Sequence, residues 1–294
     1  MNIKKIFVFV LAILMAVTTF ITPAYADSEQ YLILGENLSD SEKATVLDLL
    51  GVDNIEHYNV AYITNAEEYE HLGDYLSSDI IGSRALSSAL LTKEKEGHGI
   101  SIETFNITYC TKEMYQNALI TAGVKDISVK IAGPFKISGT AALVATIKSY
   151  EIMTGKTLDP DAIDAANNEI VVTQDLGNDI GAEKAAELIA ALKQEIAKMG
   201  DNYTKEDILK ILEDLCAKLE ITLTEENKQD ILALMDKLSK IDIDEEALKE
   251  QAKEIYGKVK DYVIKLEEQG VFEKIWDAIV TFFKSIFEIF KSVE

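Results

Sequence analysis

The stretch YLILGENLSDSEKATVLDLLGVDNIEHYNVAYI, residues 31–63, carries the unit from which the first half of the chain is built. Tyr31 to Leu34 is a short apolar run of strand type, and Ser39 with Glu42 three residues on is a capping box, in which hydroxyl and carboxylate satisfy amides that a helix start leaves free. The apolar periodicity that follows runs to Leu50. Gly51 then supplies the left-handed residue on which helices commonly end. Tyr58 to Ile63 is a second strand, so the segment reads as two parallel strands joined by a crossover helix.

The same order returns in FNITYCTKEMYQNALITAGVKDISVKIA, residues 105–132. Thr111 caps a helix carrying Met114, Tyr115, Ala118 and Leu119, and Ala122-Gly123-Val124 echoes Leu50-Gly51-Val52 before the strand from Ile127 to Ala132. Two copies of one unit and chance convergence on a common one both give this pattern. Either way, the helices are expected over one face of a small mixed sheet. Between the units, the polar stretch 65–83 leads into an apolar run from Ala85 to Leu91. The Gly97-His98-Gly99 turn then predicts a hairpin with Ile100 to Tyr109, and Gly133-Pro134 predicts the end of the last strand.

Beyond Ser138 helical periodicity takes over, at 138–153, 161–172, 182–199, 204–220, 224–238, 245–268 and 271 onward. Thr204 with Asp207 is another capping box, and Gly155, Gly177, Gly181 and Gly200 punctuate the ends. The fold class is α+β: a mixed α/β amino-terminal domain over 27–155, then an all-α region over 156–270. An aromatic helix over 271–294 completes it.

Lys4 and Lys5, the apolar run Ile6 to Ile21, and Thr22-Pro23-Ala24-Tyr25-Ala26 have the order of a cleavable signal peptide over 1–26, with Asp27 as the new terminus. No cysteine stands at the cut, which excludes a lipoprotein anchor. The expected location is extracytoplasmic, at the envelope of a Gram-positive-type cell. With 48% hydrophobic and 27% charged residues the chain is globular, and its net charge is −22. Arg84 is its one arginine, so nucleic acid is not an expected partner. Cys110 and Cys216 are expected as buried free thiols, because Cys216 lies on an apolar helix face with Ile208, Leu212 and Leu215.

Sequence signatures of catalysis are missing: there is no Gly-x-Ser-x-Gly elbow, Walker loop, His-Glu-x-x-His or Cys-x-x-Cys. His57, His71 and His98 have no metal-ligand spacing and read as turn residues. Counted from Asp159 as a calcium loop, Ile163 falls at the fifth ligand position and Ile170 at the twelfth, so the acids at Asp159, Asp161 and Asp164 read as a helix start, as do Asp242, Asp244, Glu245 and Glu246. No metal or cofactor is expected. The best ligand candidates are Ser138, Gly139 and Thr140, a helix start after a strand, with Arg84 as a cation for a carboxylate or phosphate. The plainer reading makes Ser138 an N-cap and Arg84 half of an ion pair.

Phe272, Trp276, Phe282, Phe283, Phe287 and Phe290 crowd the last helix, with a narrow polar strip between them. Such a helix needs cover from the helical domain, a second copy of the chain, another envelope protein or a membrane surface. Glu and Lys balance on that strip, whereas interfacial helices are usually cationic there, which favours protein over lipid.

Ile81-Gly82-Ser83-Arg84-Ala85-Leu86-Ser87-Ser88, Asn106-Ile107-Thr108, Met114 to Val124, and Pro134 to Leu143 together resemble the YpuA-like secreted family of Firmicutes, known as a domain of unknown function, DUF1002. The resemblance continues through Tyr150-Glu151, Asp175-Leu176-Gly177 and Gly181 to Ala185. It implies an exported or envelope-associated protein and brings no substrate, cofactor or catalytic residue. Two functions are therefore open. The first is a non-enzymatic envelope protein that binds a partner or ligand, and the alternative is an exported hydrolase or transferase acting near Arg84 and Ser138.

Overall fold

The computed structural model describes residues 30–199 and 204–241. The signal peptide, the 245–268 helix and the aromatic segment of the sequence reading lie outside the described residues. In chain order the elements are β1 (Gln30–Gly35), α1 (Asp40–Leu50), β2 (Asn59–Ile63), α2 (Asn65–Leu72), α3 (Ser78–Ile81), β3 (Ser88–Lys93), β4 (Ile100–Ile107), α4 (Lys112–Thr121) and β5 (Ile127–Ile137). Then come α5 (Thr140–Thr154), α6 (Pro160–Ile180), α7 (Ala182–Met199), α8 (Lys205–Leu219) and α9 (Glu225–Leu238).

The two strand–helix–strand segments each form a parallel pair, β1 with β2 and β4 with β5. β3 runs antiparallel between them, and the sheet order is β2-β1-β3-β5-β4. Ser39 and Glu42 make the capping box of α1, and Gly51 at φ 75° closes it. Thr111 accepts from the Met114 amide at the start of α4, and Thr204 with Asp207 caps α8.

The helices do not share one face. α1 packs Val46 and Leu50 on Leu32, Leu34, Leu90 and Ala132, while α4 and α5 cover Ile33, Ala89, Leu91, Val129 and Ile131. Successive strand residues point to opposite faces, so runs such as Leu32-Ile33-Leu34 and Ala89-Leu90-Leu91 need burial on both. α5 is the central cover, with eleven of its fifteen residues buried. Its small Ala and Thr side chains let the backbone approach the strands closely.

The hairpin is also corrected. β5 inserts between β3 and β4, pairing Leu91 with Val129 on one side and Ile102 with Val129 on the other. Residues 94–99 bridge two strand spacings, roughly 10 Å, and are tied to the start of β5 by Glu94 N–H to Asp126 O and Gly99 N–H to the Asp126 carboxylate. Nor does Gly133-Pro134 end β5, which runs on to Ile137. β3 pairing stops at Ser88–Ala132, so Pro134 owes it no donor. The register shift puts the extra residues on β5, where 133–136 stand opposite Asn106 alone; Asn106 takes φ 59° and its side-chain amide donates to Gly133 O. The polar stretch 65–83 holds two helices, with Thr64 and Glu67 as the capping box of α2. α6 continues through Gly177 to Ile180.

α6 belongs to two cores. Its Ala166 and Ile170 pack with the sheet-side core, while Ala165, Val172 and Leu176 pack with Leu188, Leu192, Leu212, Ile231 and Met235 of the helical part. The 155/156 division expected from the sequence falls in the loop before this shared helix. Both cysteines are free; Cys110 is buried, but Cys216 is only half-buried, at the edge of the α8 apolar face.

Candidate functional site

A cleft of about 340 Å³ opens between the loop after α3 and the start of α5, and Arg84 and Ser138 both line it. Its floor follows from how β5 hands over to α5. Gly139, at φ 95°, is the N-cap of α5 and makes no side-chain cap, so Ser138 is not the N-cap expected from the sequence. A Cβ at Gly139 would stand 2.4 Å from the Tyr115 hydroxyl and 2.6 Å from Ile107, which leaves glycine alone able to pass. Tyr115 donates to Gly139 O at 2.7 Å, and the amides of Tyr109 and Cys110 donate to Ser138 O, fixing the turn.

The free amides of the α5 start are satisfied from inside. Glu68 of α2 is 2% exposed and accepts from the Thr140 hydroxyl at 2.5 Å and from the Ala141 amide. The Ala142 amide donates to Ser87 Oγ at 2.9 Å. A carboxylate at a helix start is favoured by the helix dipole; here the protein supplies it, and the anion place expected at Ser138, Gly139 and Thr140 is filled by Glu68. Since the Thr140 proton goes to Glu68, Ser138 Oγ donates to Thr140 Oγ1 at 3.1 Å, giving a string Ser138 to Thr140 to Glu68. Burial pushes Glu68 up to about 7, against the hydrogen bonds from Thr140, Asn65 and Ala141.

Arg84 is likewise engaged. Its two guanidinium nitrogens meet both oxygens of Glu42, at 3.2 and 2.5 Å, and one of them also donates to Asn37 O at 2.7 Å. The Arg84 hydrogen bond, with those of Ser39, lowers Glu42 to about 2. One carboxylate thus caps α1 and holds the loop that carries Arg84.

Asp79 and Phe135 stand at the exposed rim of the cleft. No histidine lines it. Cys110, behind the Ser138 turn, is pushed by burial up to about 12, which disfavours its thiolate at neutral pH. Asp159 is the N-cap of α6 and accepts from Asp161, as a helix-start acid does. Among the described residues no group of three or more His, Cys, Asp or Glu could hold a metal ion. Phe272, Trp276, Phe282, Phe283, Phe287 and Phe290 lie outside the described residues.

Sequence reasoning weighed Glu68 only as a metal ligand beside His57 and His71, and met Ser87 only within the 81–88 motif; it placed neither at the start of α5. The stretch 65–83 was read only as polar, and on an acidic surface helix nothing distinguishes the one acid that turns inward.

A family model described as "Protein of unknown function (DUF1002)" matches residues 34–255. The chain is 39% identical over 291 residues to "Uncharacterized protein YpuA" of Bacillus subtilis (strain 168), covering 98% of this chain and 100% of that protein. No solved structure matches.

Proposed function

The chain belongs to the DUF1002 family of proteins of unknown function, and we propose that it is an exported, non-enzymatic binding protein of the Gram-positive cell envelope that recognises its ligand in the cleft beside α5. One observation carries this reading. In the cleft that Arg84 and Ser138 both line, the polar groups of Arg84, Glu68 and Ser87 are engaged in fixed internal bonds, which makes a rigid recognition surface. Export is supported by the basic, apolar and small-residue order of 1–26. Among the described residues no helix is long and apolar enough to cross a membrane. The aromatic segment 271–294 is the proposed attachment element, toward an envelope protein, a second copy or the membrane surface.

The rival reading, a hydrolase or transferase, is favoured by the Ser138–Thr140–Glu68 string ending on a carboxyl raised to about 7. Sedimentation with isolated envelopes separates the two. The full chain is expected to pellet with the envelopes, Ser138→Trp to remain soluble with an unchanged melting temperature, and a chain ending at Gly270 to pellet less. Equal pelleting of all three removes the cleft and the aromatic segment from the account. Release of soluble wall fragments that stops in Ser138→Ala and in Glu68→Gln establishes the enzyme instead.

A further inference from the structure

From the chemistry of its lining, and resting on the reading of this cleft as the binding site, we infer that the ligand is an uncharged, hydroxyl-rich chain, a neutral oligosaccharide. An anion meets a cation already neutralised: Arg84 spends three of its five N–H donors on Glu42 and Asn37 O, and the Ala141 and Ala142 amides are held by Glu68 and Ser87. Asp79 at the rim and a chain charge of −22 repel it further. An ammonium ligand meets one exposed carboxylate, Asp79, in a lining that also holds the Arg84 guanidinium.

What the cleft offers freely suits a sugar. Phe135 is 49% exposed, the one aromatic side chain of the lining. The face of an aromatic ring is negative, and the C–H face of a pyranose is apolar and weakly positive, so the two stack. The same lining holds the exposed Ser83 hydroxyl, the Asp79 carboxylate and the half-buried Ser138 hydroxyl, whose proton goes to Thr140 and whose oxygen is left to accept, short groups that pair with sugar hydroxyls. The volume of about 340 Å³ is at the small end of the roughly 300–1,000 Å³ of ligand clefts, enough for a short segment of such a chain.

Calorimetric titration of the full chain with chitohexaose, inorganic phosphate and trilysine tests this. Saturable binding is expected for chitohexaose alone, weakened about tenfold or more in Phe135→Ala. Because Phe135 is half exposed, that variant should keep the wild-type melting temperature. Absence of saturable chitohexaose binding, indifference to Phe135→Ala, or saturable binding of phosphate or trilysine overturns the ligand class. If envelopes still retain the full chain but not Ser138→Trp, the cleft stands as the binding site and only its ligand is reassigned.

Discussion

Replacing Lys193 with methionine should cost about 3–5 kcal/mol of folding stability, measured by urea denaturation. Lys193 and Glu169 have no solvent-exposed side-chain surface, and the ammonium meets the two carboxylate oxygens at 2.8 and 3.0 Å. It also donates to Thr121 Oγ1 at 2.7 Å and Asn117 O at 2.9 Å, and Thr121 donates to Glu169 at 2.5 Å. This network joins α4 of the sheet domain to α6 and α7. Burial pulls the Lys193 pKa down while Glu169 pulls against it. Methionine keeps the volume but strands a buried carboxylate, and that uncompensated charge is what costs. The double change Lys193→Met with Glu169→Leu should return to wild-type stability or above it, since a dry apolar pair avoids both desolvation costs. The Thr121 hydroxyl is then free to turn to the Asn117 carbonyl one helical turn back. A single-variant loss under about 1 kcal/mol would mean that water reaches the pair.

The second large effect is a fall in stability as pH rises. Glu68 goes from 4.5 in the unfolded chain to about 7 in the fold, mainly through burial. Between those values the folded state holds a proton that the unfolded state has released, so stability is highest near the lower value and drops as pH climbs through the higher one. A difference of this size is worth about 3 kcal/mol across the window. Asp175 is raised as well, by burial and by Asp230, Asp179 and Glu226, and it adds to the same slope. The effect of Glu68 is therefore read as the difference between wild type and Glu68→Gln, whose stability should fall less from pH 4.5 to 7.5. Parallel curves would show that Glu68 ionises as freely in the fold as out of it. Below this window the sign reverses. Glu42, lowered by Arg84 and Ser39, holds its carboxylate in the fold, and that contribution is lost as pH falls toward 2.

Both parallel units were legible because caps and periodicity are local: Ser39, Glu42, Gly51 and Thr111 each act within a few residues. The sheet order was not. Whether Ile100–Ile107 pairs with Ser88–Lys93 or accepts β5 between them depends on competition for strand edges across the whole domain, and the Gly97-His98-Gly99 turn serves either outcome. At the site, Arg84 and Ser138 were visible as unusual residues in a strand-to-helix context. Arg84's partner lies 42 residues away on α1, and only folding brings it near. Lys193 left a trace in the sequence, since it shares the stripe of Ile189 and Ile196 on α7, where an apolar side chain would normally sit. Glu68 left none.

Ligand enters, in the function proposed above, beside α5, between the loop after α3 and the end of β5. Amide chemical shifts of the isotope-labelled full chain, followed during titration with soluble fragments released from isolated envelopes, test it most directly. Saturable changes are expected to concentrate at residues 79–84 and 135–138. Saturable changes elsewhere that leave those amides still, or a spectrum unmoved by any fragment, would contradict it.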